Sequence, residues 1–464
     1  MKHSIFIAVI ATLLTACATT PREPQIPAHG VIGVTEAQLD PEFWIRRGAG
    51  SRLVLDEAAI EAQNAKLKQL DHSIHDIEAL PATLAAGDVH TWVDRMSERP
   101  DDALYDEHGN AVEAATIDAI VANANVAAIP ATQPARFGMV VRRSDLRTFP
   151  TRMRVFDDPD DGTDIDRFQE DALFPGTPVA IVHESRDGEW WLVVSPRYAA
   201  WISRNDVAQG SRDEVLAYTH KEPYVVVTGA AARTVFTPEK PEVSDLRLEM
   251  GQRIPVLSDW PAEKPVNGQH PYTAHVVELP IRAADGSLHF APALLPRTAD
   301  VAADYLPLTR ANLIHQSFKF LGERYGWGHS YNARDCSGFV SEVYRSFGVQ
   351  LPRNTRDQAV SPALNRIAFT ADDDHEKRLA VLRELQVGDL VYIPGHVMMV
   401  IGQDGGGPYV IHDTTGITYR DAAGVITRVH LNGVSVTPLL PLLDGKEHVS
   451  RVDRIYSIQR IRKN

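Results

Sequence analysis

The stretch Arg334-Asp335-Cys336-Ser337-Gly338-Phe339-Val340 constrains this chain most, because it sets one cysteine at the first turn of an amphipathic helix. Val340, Val343, Tyr344 and Phe347 recur at helical spacing, and Gly348 closes the segment. Backbone N–H groups at a helix N-terminus favour a thiolate and lower its pKa, so the position suits a sulfur nucleophile. A buried cysteine acting as a small hydrophobe fits the same local pattern.

Downstream, Gly388 to Val400 reads as two strands around a Pro394-Gly395 turn, with His396 opening the second. A further apolar run, Tyr409-Val410-Ile411-His412-Asp413, ends with another histidine. A helix-borne thiol facing two imidazoles on neighbouring strands is the arrangement of a Cys-His nucleophile with an orienting third group. The chain holds 18 histidines, so order and context, not number, single out these two.

The constellation resembles the NlpC/P60 cysteine peptidases of bacterial cell walls. Its motifs come in the family's order: Tyr325-Gly326-Trp327-Gly328, Asp335-Cys336-Ser337-Gly338, Leu351-Pro352-Arg353-Asn354-Thr355 with Gln358, Gly395-His396, then His412. One departure is His329, where the first motif usually continues with a second glycine. The resemblance implies an α+β fold: a papain-like catalytic domain with its nucleophile on a helix against an antiparallel sheet, preceded by SH3-like barrels. His396 would take the proton of Cys336, and His412 would fix the ring of His396.

The resemblance also implies which residues surround the oxyanion and substrate: Tyr325, Asp335, Ser337, Arg353, Asn354 and Tyr198. Tyr325 is expected near the oxyanion, with a core aromatic as the alternative. Arg353 is either an anion partner for stem-peptide carboxylates or half of a structural ion pair. Asn354 stands where relatives requiring a free N-terminal L-alanine can carry aspartate, and Asp335 is expected beside that amine. Tyr198, in Arg197-Tyr198-Ala199-Ala200-Trp201, either covers the end of the groove or packs within its own barrel. SH3-bearing members look like γ-D-glutamyl-L-diamino acid endopeptidases acting on peptidoglycan stem peptides. An amidase or transacylase on the same core, and a non-catalytic wall-binding lipoprotein, are the alternatives.

The net charge of −14, with no basic stripe to offset it, argues against nucleic acid as a partner. No HExxH, paired CxxC or P-loop appears, so neither metal nor cofactor is expected. Met1-Lys2-His3 followed by Ser4 to Leu14 reads as an export signal, its apolar run too short to span a bilayer. Leu14-Thr15-Ala16-Cys17 looks like a lipobox that would make Cys17 the lipidated first residue, with an ordinary cleavable signal as the alternative. Ala18 after it resembles lipoproteins of the Gram-negative outer membrane, so a periplasmic, membrane-anchored monomer is expected. Cys336 is then left unpaired in an oxidising compartment.

The expected organisation is a signal peptide over 1–17 and a polar tether over 18–37. A helical stabilising segment follows over 38–135, with Leu55, Ile60, Leu67 and Leu70 approximating one face, more helix from Asp76 to Met96, and Asn64 in a position typical of the group. Short alternating runs broken by Gly, Pro and Asp predict small β-barrels, which by resemblance are SH3b1-like over 136–210 and SH3b2-like over 211–305. The peptidase domain takes 306–464, beginning with a helix that Thr309 caps.

Overall fold

The computed structural model describes residues 30–48, 50–159 and 162–462. The expected signal peptide, the lipobox with Cys17, and most of the tether lie outside the described residues. Helix and strand are mixed throughout, and no described helix is long and apolar enough to cross a membrane.

The C-terminal part is an antiparallel sheet with helices on its faces. Strands Asn365–Ala368, Ser457–Arg460, Leu390–Ile393, His396–Asp404 and Gly407–Arg420 lie side by side in that order, and Ile426–Pro438 pairs with Gly407–Arg420. The Pro394-Gly395 pair joins Leu390–Ile393 to His396–Asp404 in a tight hairpin, Ile393 opposite His396, with Gly395 at φ +77°. Helix Cys336–Arg345 buries Phe339, Val340, Val343 and Tyr344 against Val397, Met399, Ile411 and Val436 of the sheet. The opposite face, with Met398, Val400, Val410 and Ile458, is covered by helix His375–Leu382. Thr309 caps helix Arg310–Phe318 by accepting from Asn312 N–H at 3.1 Å.

Ahead of this part, strands between Arg136 and Gly210 close a seven-stranded sheet around Leu146, Val179, Ile181, Val193 and Ile202. Three smaller sheets between Tyr224 and Ala302 share a separate core of Val227, Leu248, Ile254, Val277 and Leu295. At the N-terminal end, helix Glu57–Leu70 points Asn64 at the turn after the cysteine helix. Its amide donates to Gly348 O at 2.8 Å and accepts from Gln350 N–H at 2.9 Å. The stretch 76–96 is less helical than its sequence predicts. Thr83–Ala85 is a strand pairing with Thr132–Pro134, and the helix proper is Ala86–Met96. A partner so distant in sequence leaves no local periodic mark.

Candidate active site

Cys336 is the first residue of helix Cys336–Arg345, and Asp335 is its N-cap, accepting from Gly338 N–H at 2.8 Å. The thiol is 5% exposed and lies 3.7 Å from the Thr355 hydroxyl. Burial, then the Asp335 carboxylate, pushes the thiol up to about 12, against the Val397 N–H and the Thr355 hydroxyl, which favour its charged form. The helix-end argument from sequence therefore does not decide the charge of this cysteine. Tertiary burial outweighs it.

His396, half-buried at the start of its strand, places Nε2 2.7 Å from His412 Nδ1. His412 in turn sets Nε2 3.0 Å from the Thr437 hydroxyl. The contact between the rings orients His396 through Nε2 and leaves its Nδ1 outside it. Burial, with a smaller effect from Arg451, lowers His396 to about 3, and burial with His396 and Arg451 lowers His412 well below the usual imidazole value. At neutral pH both rings are uncharged, and His396 is an unprotonated base. The strand carrying His412 does not end at Asp413 but runs on to Arg420.

Arg353 is an ion-pair partner throughout. It is 3% exposed and donates to Asp171 Oδ1 at 2.6 Å, to Asp335 at 2.7 and 3.1 Å, and to Ser337 Oγ at 2.9 Å. Arg353 makes the structural ion pairs and also lines the cavity beside them. Asp335, expected beside a substrate amine, and Ser337 are buried in the same network, with Asp335 also accepting from Gly328 N–H at 3.0 Å. Burial alone would raise both carboxyls, but Arg197, Arg353 and His329 hold Asp171 well below the usual range, and Arg353 and His329 hold Asp335 below it. Arg334, beside them, is fully buried and donates to Glu342, Glu249 and Glu323.

A cavity of about 230 Å³ opens along this network. Tyr198, Glu170 and Arg197 of the barrel line it together with Arg353, Asn354 and Asp357, and His75, Trp92 and Arg95 of the N-terminal segment add to the lining. The Tyr198 hydroxyl donates to Glu170 at 2.5 Å within the barrel, and Asn354 Nδ2 donates to Asp357 at 3.2 Å. Tyr198 both packs against its own barrel core and lines this cavity. Burial and Glu170 raise its phenol well above the ordinary value, keeping it a donor. Tyr325, 6% exposed, lies on a segment bridged to Arg334, and burial with charge at Cys336, Asp335 and Asp413 likewise keeps its hydroxyl protonated.

Glu170, Asp171 and Asp357 escaped the sequence reading, and Thr355 and Asp413 stood within quoted motifs without a role. The signal for the first two was a pair of acids inside an otherwise strand-like run, Gln169-Glu170-Asp171-Ala172-Leu173. Among the described residues no cluster of His, Cys, Asp or Glu is arranged to hold a metal ion.

A thiol at a helix start and two hydrogen-bonded imidazoles on adjacent strands are the groups on which a cysteine-hydrolase reading of this site rests. The NlpC/P60 family profile matches residues 322–436, and the SH3 domain (SH3b1 type) profile matches residues 154–203. The chain carries an NlpC/P60 domain, of a family of cysteine peptidases, behind an SH3b1-type domain. It is 27% identical over 261 residues to the γ-D-glutamyl-L-lysine dipeptidyl-peptidase of Bacillus cereus, covering 52% of this chain and 66% of that one. It is 24% identical over 236 residues to dipeptidyl-peptidase 6 of Lysinibacillus sphaericus, covering 50% and 77% respectively. An NlpC/P60 endopeptidase structure from Photobacterium damselae subsp. piscicida shares the fold, with TM-score 0.68 and 19% identity over 86% of this chain and 90% of that one.

Proposed function

We propose that this protein is a cysteine endopeptidase that cuts the γ-D-glutamyl–diamino acid bond of peptidoglycan stem peptides. His396 Nδ1 takes the proton of Cys336, and the sulfur attacks the γ-carbonyl of D-glutamate. The C–N bond then breaks as the imidazolium protonates the leaving amine, and water hydrolyses the thioester to release the acyl half. The oxyanion of each tetrahedral step is met by the Cys336 backbone N–H and by the Tyr325 hydroxyl, which stays protonated. Because burial keeps the resting pair neutral, proton transfer accompanies attack.

The observation that carries the substrate reading is the cavity that ends against Tyr198 and Glu170. Its Asn354 adjoins Thr355, whose hydroxyl touches the thiol. An L-alanine placed there lies among the guanidinium groups of Arg95, Arg197 and Arg353 and the carboxylates of Glu170 and Asp357, and the two carboxylates are the groups that suit a free ammonium. An amide-linked N-terminus would meet the Tyr198 wall. The name of the Bacillus relative, a γ-D-glutamyl-L-lysine dipeptidyl-peptidase, supports the same bond class. We further propose that Cys17 is lipidated and holds the protein at the periplasmic face of a Gram-negative outer membrane.

Mass spectrometry of purified muropeptides after incubation with the soluble protein tests the reading. Release of L-Ala-D-Glu from free peptides, much faster than any release from intact sacculi, is the expected result. Equal rates on both overturn the closed-groove specificity, and cleavage at another bond or acyl transfer to an added amine favours the transacylase alternative.

A further inference from the structure

His329 occupies a position with a positive backbone angle, φ +65°, where a side chain is costly, and its ring is 1% exposed. Nδ1 lies 3.0 Å from Asp171 Oδ1 and 3.2 Å from Arg353, and Nε2 lies 3.0 Å from Glu342 Oε1. Asp171 belongs to barrel strand Gln169–Leu173, and Glu342 to the cysteine helix, so one imidazole spans the two. The ring also sits over the helix start. A Cβ on Gly338 would lie 2.6 Å from His329 Cε1, so the approach requires glycine at 338.

The backbone around His329 docks on the same strand. Gln169 Nε2 donates to Gly328 O at 2.7 Å, Trp327 Nε1 donates to Gln169 O at 3.0 Å, and Arg143 donates to His329 O at 2.6 Å. Glu170, between Gln169 and Asp171 on that strand, is the residue that accepts from Tyr198 at the cavity wall. The strand therefore carries the wall on one residue and the tie to the cysteine helix on the next.

We propose that His329 is a positioning residue that sets the distance between the Glu170–Tyr198 wall and Cys336, and through it the selectivity for peptides with a free amine. This rests on the cavity reading given above. His329 touches no reacting atom, and Asp171 keeps Arg353 and Arg197 when the imidazole is removed, so the fold does not depend on it alone.

The test compares full-length wild type with His329→Gly and His329→Gln on L-Ala-γ-D-Glu-diaminopimelate and its Nα-acetyl derivative. Amide hydrogen exchange of residues 169–173 is measured in parallel. His329→Gly is expected to raise KM for the free-amine peptide about tenfold with kcat nearly unchanged, and to narrow the preference over the acetylated peptide by a similar factor. Exchange in 169–173 should speed up, and His329→Gln, which keeps a polar bridge, should recover part of every effect. Kinetic constants and exchange within twofold of wild type in both variants would overturn the proposal, as would a fall in kcat with KM and selectivity unchanged. If the wild type cleaves neither peptide, the substrate reading fails. The exchange measurement then decides the tie by itself, faster exchange supporting it and unchanged exchange overturning it.

Discussion

Replacing Arg353 by methionine removes a guanidinium that is 3% exposed and holds two buried carboxylates at once. Asp171 would keep Arg197, whose side chain is 17% exposed, and Asp335 would keep only the Gly328 and Gly338 N–H groups and Ser337. Breaking a buried ion pair from one side costs about 3–5 kcal/mol, against about 1 kcal/mol or less for an exposed pair. For a unit of this size that corresponds to a fall of about 10 °C in Tm. Arg356, three residues on and exposed, serves as the control, and Arg356→Met should shift Tm by no more than about 2 °C. The pH dependence supplies a second arm. In the wild type Arg353 holds Asp171 and Asp335 below the usual carboxylate range, so their contribution is present at neutral pH and lost as pH falls through their folded values. In Arg353→Met those carboxyls regain higher values and protonate readily, so the gap between variant and wild type should shrink from pH 7 toward pH 4. Calorimetry on the full chain at both pH values checks this. A Tm within about 3 °C of wild type at pH 7, or a gap that widens in acid, would refute the assignment of Arg353 to a buried charge network.

His412→Ala should retain more activity than His396→Ala, since His412 acts on the thiol only through the 2.7 Å contact to His396; steady-state rates on a stem peptide check this. Asp413 is buried with no hydrogen-bond partner for its carboxylate oxygens except a weak effect of the Thr414 N–H, and burial, Asp335 and Glu323 raise its carboxyl well above the usual range. A raised acid weakens the fold as pH climbs above its unfolded value, so Asp413→Asn should be more stable than wild type at pH 8 by urea denaturation, with the difference gone at pH 4. Cys17→Ser should move the protein from the membrane fraction to the soluble periplasm on cell fractionation; unchanged membrane association would refute lipidation at Cys17.

What the sequence displays is what is decided locally. The helix at 336 is legible because an N-cap aspartate, an apolar stripe and a closing glycine fall within a dozen residues, and the hairpin at 390–404 because Pro394-Gly395 separates two apolar runs. The order of Cys336, His396 and His412 added the site. The interior ionic network was not legible, because Asp171 and Arg353 are far apart in sequence and meet only when the barrel packs on the catalytic domain. The thiol shows the same limit in energetic form: its helix position favours a thiolate, but burial and the neighbouring Asp335 carboxylate, both set by the fold, push it the other way. Asp357 and the N-terminal residues His75, Trp92 and Arg95 carry no motif, and only the enclosed cavity brings them to Tyr198.

The most direct test of the account is to incubate wild type and Cys336→Ala with synthetic L-Ala-γ-D-Glu-meso-diaminopimelate and identify products by mass spectrometry, with circular dichroism confirming that the variant is folded. The account predicts L-Ala-D-Glu and free diaminopimelate from the wild type and intact tripeptide from the variant. Turnover by folded Cys336→Ala, or wild-type cleavage between L-Ala and D-Glu, would contradict it.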